Sequence, residues 1–89
     1  MELTTQTWTV ELLLSERDGA THAEARLLSG LPQPVTATGD AHLSPDDPVD
    51  VAEIGYELAA ARALTHLGEA LLRTAHGDVE ALLRELHRC

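Results

Sequence analysis

The first half of the chain alternates with a period of two between apolar or small side chains and polar ones. Alternating runs begin near Thr7, Thr21 and Val35, and this period is typical of β-strands with one buried face. Asp18-Gly19 lies between the first two runs and is a strong signal for a two-residue turn. Prolines and a glycine over 29–34 mark the second connection. The pattern therefore predicts three antiparallel strands joined as a meander. The positions predicted to face the interior are Trp8, Val10, Leu12, Leu14, Ala23, Ala25, Leu27, Val35, Ala37, Gly39, Ala41 and Leu43.

At Ser44 the period changes to the three- and four-residue spacing of an amphipathic helix. Asp47 is suited to cap the first helical amides, and Pro48 is suited to the first helical position. We therefore expect a long helix over about Pro48 to Ala75. Its apolar stripe comprises Val51, Ile54, Leu58, Ala61, Leu64, Leu67, Leu71, Leu72 and Ala75.

Gly77 is predicted to end this helix, and Asp78 to begin a short C-terminal helix over about 78–88. That last segment carries four large aliphatic residues at helical spacing, namely Val79, Leu82, Leu83 and Leu86. The predicted fold class is α+β, with a three-stranded antiparallel sheet, one long helix and a short terminal helix. We expect a single domain over 1–89, with its core at about 7–76.

Self-association is predicted from the same pattern. A three-stranded sheet has exposed edges, and the interior positions of its second and third strands are mostly alanine or glycine, so the core is thin. The aliphatic terminal segment adds a further apolar surface. We therefore expect a homodimer, with Gly55, Tyr56, Leu82, Leu83 and Leu86 as interface candidates. Gly55 is open to a second interpretation, as a glycine tolerated near a helix start.

Charge and composition exclude several classes of function. Fifteen acidic residues stand against six basic ones, all arginine, which gives a net charge of −9. Phosphate backbones attract clustered lysine and arginine, so binding to bare nucleic acid is not expected. The apolar runs are too short for a membrane helix and the first residues lack signal-peptide features, so a cytoplasmic protein without membrane contact is expected. The single cysteine, Cys89, is either an unreactive terminal residue or a point of modification, attachment or intermolecular disulfide formation, although a disulfide would not persist in a reducing cytosol.

Four segments together carry a family pattern: Trp8-Thr9-Val10-Glu11, Asp18-Gly19-Ala20-Thr21, Ala23-Glu24-Ala25-Arg26-Leu27 and Glu53-Ile54-Gly55-Tyr56-Glu57-Leu58-Ala59-Ala60-Ala61-Arg62-Ala63-Leu64. Over about residues 7–80 the chain resembles an actinobacterial family of small proteins of unknown function with a fold like double-stranded-RNA-binding domains. That family includes dormancy-associated mycobacterial proteins likened to ribosome hibernation factors.

This resemblance implies a β-β-β-α core, frequent dimerisation and a role in stress or stationary phase, and it implies no catalytic residues. Relatives often carry basic residues in the second strand, where this chain has His22 and Glu24, with Arg26 as the one cation. Hibernation factors hold ribosomal RNA with basic surfaces, so we expect any ribosome contact of this chain to involve ribosomal proteins or a local pocket.

The polar face of the sheet offers one candidate metal site. If Leu27 lies beside Val35, the register places His22 opposite Asp40, with His42 diagonal to the pair. Two imidazoles and a carboxylate suit zinc or nickel, but solvated polar residues on an open face are the commoner arrangement. A His–Asp pair for base catalysis is a further alternative, for which the sequence indicates no nearby nucleophile. None of the serines lies in a hydrolase elbow motif.

The leading functional hypothesis is a non-enzymatic homodimeric module of stress or dormancy physiology that acts through protein contacts, with the ribosome as a candidate partner. The alternative is an accessory or scaffold domain that binds an unidentified protein through the polar sheet face or the last helix, without nucleic-acid or ribosome contact. Neither hypothesis requires a cofactor or a catalytic residue.

Overall fold

The computed structural model of the chain describes residues 2–30, 34–42 and 52–87. It has three strands, β1 (Thr9–Arg17), β2 (Ala20–Leu28) and β3 (Val35–His42), and then one helix, α1 (Ala52–Leu86). The strands form an antiparallel sheet in the order β1-β2-β3, and the helix lies across one face. The predicted α+β class and the meander are therefore confirmed.

Local turn chemistry and alternation set the strand register. Asp18 and Gly19 both have positive φ angles, 52° and 81°, as a type I′ hairpin turn requires. This turn places Arg17 opposite Ala20 and brings β1 against β2 along its whole length. Between β2 and β3, Leu27 lies opposite Val35 and His22 opposite Asp40, so the register expected from the sequence is confirmed.

The core between sheet and helix is made almost entirely of small side chains. Five alanines and two leucines are buried in it, and Thr21 is the buried polar residue beside them. The buried apolar residues are Ala23, Ala25, Leu27, Ala41, Ala59, Ala63 and Leu67. Because alanines project so little, the helix backbone comes close to the strand backbones, and the core holds little apolar volume.

Gly39 on β3 is the point of closest approach. A Cβ built at this position would lie 2.5 Å from the carbonyl oxygen of Ala59, 2.8 Å from the carbonyl carbon of Arg62 and closer still to the amide nitrogen of Ala63. These neighbours are backbone atoms, which cannot rotate away as a side chain can. Only glycine therefore permits the observed contact between β3 and α1.

The prediction of a helix end at Gly77 is wrong, and so is the separate terminal helix over 78–88. In the described residues α1 continues through Gly77 and Asp78 to Leu86, a length of about 52 Å. A glycine inside a helix costs only about 1 kcal/mol relative to alanine, and strong helix formers follow it. The apolar spacing also continues without a phase change from Leu72 to Val79 and Leu86. The predicted helix entry over 44–48 and Cys89 lie outside the described residues.

The predicted burial of the first strand is also wrong. Val10, Leu12 and Leu14 lie on the helix-facing side of the sheet, opposite buried residues of β2, and Trp8, just before β1, continues their alternation. Yet 38–47% of each of these four side chains remains exposed. The helix packs chiefly on β3 and β2 and scarcely reaches β1. A periodic strand pattern shows which side chains share a face, but burial of that face depends on where the helix lies.

Replacing Gly39 with alanine should destabilise the fold by about 1–3 kcal/mol, because the added methyl group overpacks a backbone contact that cannot relax. The matched control is Gly77→Ala, since a Cβ at Gly77 meets no atom within 4 Å. That control should stabilise the helix by up to about 1 kcal/mol. Urea denaturation followed by circular dichroism measures both. Equal stability of the two variants would contradict the close approach at Gly39.

Candidate interaction surfaces

Two side chains of α1 cover the outer edge of β3. Arg62 Nη1 donates to the carbonyl oxygen of Asp40 at 2.6 Å, and His66 Nδ1 donates to the carbonyl oxygen of Thr38 at 2.7 Å. Four helical residues advance about 6.0 Å and two strand residues about 6.7 Å, so an i,i+4 pair matches alternate carbonyls. The pair blocks an edge that could otherwise accept another strand.

Sequence reasoning missed this role for both residues. From sequence alone, an arginine on an exposed helix face such as Arg62 is expected to pair with a nearby glutamate in preference to binding an anion. The structure shows a backbone carbonyl as its partner, and nothing in the sequence singles out His66. The four-residue spacing of the two side chains is visible in the sequence. Their acceptors lie more than twenty residues away, so no local pattern indicates them.

The outer face of the sheet carries the predicted His22–Asp40 pair. His22 Nδ1 lies 2.7 Å from Asp40 Oδ1, with 50% and 73% of the two side chains exposed. Arg26 and Glu24 form a looser pair at 3.7 Å on the same face. Solvent-exposed pairs of this kind contribute only about 0–1 kcal/mol each. They define a hydrated polar surface and add little to stability.

Of the three proposed metal donors, the structure joins two. His42 lies opposite Ala20 in the register, one diagonal step from His22. Within residues 2–30, 34–42 and 52–87, no three His, Cys, Asp or Glu side chains are grouped to hold a metal ion. Of the proposed metal site, the structure therefore shows one hydrogen-bonded pair, His22 and Asp40, and no third ligand among these residues.

The expectation that no nucleophile lies near the His–Asp pair is corrected by the register. Ser15 on β1 lies directly opposite His22, so Ser15, His22 and Asp40 form a row across the sheet. In the described structure, no hydrogen bond joins Ser15 to His22, and the row is open to solvent. Nucleophilic catalysis depends on donors and dipoles fixed in a water-excluded site, which differs from this open row.

Two apolar surfaces remain uncovered in the part of the chain that the structure describes. The bare strand face consists of Trp8, Val10, Leu12 and Leu14 on the helix-facing side of the sheet. The helix overhang is the part of α1 over residues 72–86, which follows the last residue packed on the core, Leu71. Its large apolar side chains are each 50–68% exposed, namely Leu72, Val79, Leu82, Leu83 and Leu86.

The predicted interface residues fall in two places. Leu82, Leu83 and Leu86 lie on the helix overhang. Gly55 and Tyr56 lie near the start of α1, where Gly55 is buried and Tyr56 is 37% exposed. No described helix combines the length and the apolar character that crossing a bilayer requires.

A family model described as Rv2632c-like matches residues 6–88 of the chain. This match spans almost the whole sequence, including the sheet, the helix and its overhang. The chain belongs to the Rv2632c-like family.

Members of the Rv2632c-like family from mycobacteria are close in both sequence and structure. The uncharacterized protein Mb1767 of Mycobacterium bovis is 40% identical over 80 residues, which covers 90% of this chain and 83% of that protein. The uncharacterized protein Rv2632c of Mycobacterium tuberculosis is 42% identical over 77 residues, covering 85% and 80%. The crystal structure of Rv2632c superposes with a TM-score of 0.81 at 38% identity and covers 100% of both chains.

These comparisons confirm the coarse form of the expected resemblance, an actinobacterial family of unknown function with an α+β fold. The printed names of the relatives describe uncharacterized proteins and give no activity or partner. The likeness to double-stranded-RNA-binding domains and the link to dormancy stay predictions.

Removing the Arg62 guanidinium should weaken the fold and open the edge of β3. For Arg62→Met, which keeps the length of the side chain, we expect a loss of about 0.5–1.5 kcal/mol, the usual net value of one hydrogen bond. Arg73→Met is the matched control, because Arg73 lies on the helix overhang, beyond the end of β3, and its loss should change stability by less than about 0.5 kcal/mol. Urea titrations of both variants at one protein concentration give the two free energies of unfolding to be compared. An equal effect of the two substitutions would count against the edge contact.

Proposed function

We propose that this member of the Rv2632c-like family is a non-enzymatic homodimeric module that acts in the cytoplasm, in stress or dormancy physiology, through protein contacts. The ribosome is the candidate partner, and the proposal includes a likeness of the β-β-β-α order to double-stranded-RNA-binding folds. The physiological part rests on the family resemblance. The molecular part rests on the surfaces of the chain.

The observation that carries the proposal is the amount of apolar surface left uncovered. Nine large apolar side chains lie on the bare strand face and the helix overhang, each 38–68% exposed. Monomeric proteins seldom expose contiguous apolar patches of more than a few hundred Å², and larger patches mark interaction sites. The core residues, by contrast, are mostly alanines. These features support a protein that acts by binding other protein chains.

Charge supports protein contacts over direct contact with RNA. The net charge is −9, and two of the arginines near the sheet already have partners, Glu24 for Arg26 and the Asp40 carbonyl for Arg62. A surface of this sign repels phosphate at ordinary salt. A ribosome contact would therefore use ribosomal proteins or a local pocket.

Homodimerisation is tested by mass in solution. Multi-angle light scattering at micromolar concentration should return about twice the chain mass of 9.6 kDa, because covering the exposed aliphatic residues favours association. Reducing agent should not change the result, since the proposed contact is apolar and not a disulfide. A mass of one chain under reducing and non-reducing conditions alike would overturn the dimer.

Ribosome association is tested in cells. The protein should co-sediment with ribosomes, and the ribosome-bound fraction should rise in stationary phase. The purified protein should show no measurable anisotropy change with bare double-stranded RNA at physiological salt, where non-specific binders reach about 10⁻⁴–10⁻⁶ M.

Two outcomes separate the alternatives. A dimer that never co-sediments with ribosomes would favour the accessory or scaffold role with another protein partner. Salt-sensitive micromolar binding to bare RNA would show that charge does not prevent nucleic-acid contact.

A further inference from the structure

The chain is far more extended than a folded monomer of its length. Its radius of gyration is 18.2 Å, with principal extents of 65 × 31 × 21 Å. A compact domain of 89 residues has a radius of gyration of about 12 Å. The accessible surface is 7245 Å², against about 5,100 Å² for a monomeric protein of this mass. The excess of about 2,100 Å² per chain is larger than the roughly 800 Å² that each partner buries in a standard stable interface.

The helix overhang and the bare strand face carry nine of the sixteen exposed large apolar side chains among the described residues. The hydrogen bonds of Arg62 to Asp40 and of His66 to Thr38 show that α1 runs antiparallel to β3. The helix therefore leaves the sheet where β3 begins, beside Val35, which packs with Leu71 against the core. Beyond that point the overhang has no strand of its own chain beneath it.

The chain cannot cover its own bare strand face with this overhang. Because α1 is continuous to Leu86, the overhang projects away from the sheet and cannot turn back over β1. A second copy has no such restriction. It presents an identical overhang and an identical bare face, which is the condition for a self-complementary two-fold interface.

The two surfaces match in length and in chemistry. The overhang spans about 21 Å from Leu72 to Leu86, at 1.5 Å per helical residue. The bare strand face spans about 20 Å from Trp8 to Leu14, at 3.4 Å per strand residue. Both apolar rows consist of uncharged side chains. Salt screens the electrostatic repulsion between the two copies, each of which has a net charge of −9.

We propose that two copies form a reciprocal dimer in which the helix overhang of each lies on the bare strand face of the other. This inference rests on the proposed homodimer and assigns its surfaces. The helix overhang of each chain thereby covers the apolar face of β1 in its partner, which the helix of the partner itself leaves exposed. The fold of one chain is completed by the other, and the apolar faces of both are buried.

Cross-linking tests the assignment directly. In a Cys89→Ser background, one tagged chain carries Leu12→Cys and a differently tagged chain carries Leu82→Cys, and the two are co-expressed and mildly oxidised. We expect a disulfide-linked species that carries both tags. The control pairs Leu82→Cys with Leu13→Cys, because Leu13 lies on the opposite face of β1 and is 70% exposed. That pair should not cross-link.

The outcomes distinguish this inference from the proposed function. A dimer in which only the two Leu82→Cys chains cross-link would show helix against helix and overturn the assignment. A dimer with cross-links only between Leu12→Cys chains would show β1 against β1 and overturn it as well. A single-chain mass in light scattering would instead remove the homodimer itself.

A second measurement uses Trp8, the only tryptophan of the chain. Leu82 and Leu86 are 59% and 68% exposed in one chain, so replacing both with glutamate should spare its fold. We expect this variant to dissociate at least tenfold more readily and its tryptophan emission to shift to the red, as Trp8 becomes exposed. Leu13→Glu should retain the dimer and the emission. Unchanged mass and emission in the Leu82/Leu86 variant would overturn the proposal.

Discussion

The close approach of α1 to β3 at Gly39 is the contact on which the other features of the structure depend. Because Gly39 has no Cβ, the helix backbone at Ala59 and Ala63 rests directly on the strand. This proximity brings Arg62 and His66 within hydrogen-bonding distance of the β3 edge carbonyls. One residue without a side chain therefore places the helix and determines which edge of the sheet it protects.

Because the helix lies over β3 and β2, it leaves the strand at the opposite edge of the sheet, β1, exposed. A helix is about 10 Å wide with its side chains, and strands lie about 4.8 Å apart, so one helix covers two strands well and a third poorly. In this chain the strand that the helix covers poorly is β1, whose helix-facing side chains remain 38–47% exposed. The same helix is about 52 Å long and extends well beyond the sheet. The uncovered strand and the unsupported helix thus arise from one packing geometry.

The polar and apolar sides of the molecule suggest different roles. The outer face of the sheet carries hydrated pairs such as His22–Asp40, which contribute little to stability and remain accessible to solvent. The helix-facing side carries the bare strand face, whose apolar side chains are 38–47% exposed in the single chain. If two copies cover that side reciprocally, the polar outer faces of the dimer stay available for a further partner. The chain shares its fold with mycobacterial members of the Rv2632c-like family.

The sequence by itself determined the strands, their order and the register of β1 against β2, because alternation and turn geometry are local properties. The Asp18-Gly19 turn places Arg17 opposite Ala20, whereas the position of His22 opposite Asp40 followed only on the assumption, confirmed by the structure, that Leu27 lies beside Val35. Only the tertiary structure decided whether the face containing Trp8 would be buried and which acceptor Arg62 would find. Burial and long-range hydrogen bonds depend on where the helix docks, and docking depends on a backbone contact at Gly39 that no local pattern reveals. The helix continues through Gly77 because a cost of about 1 kcal/mol at one glycine is small beside the hydrogen bonds and apolar spacing that continue on both sides of it.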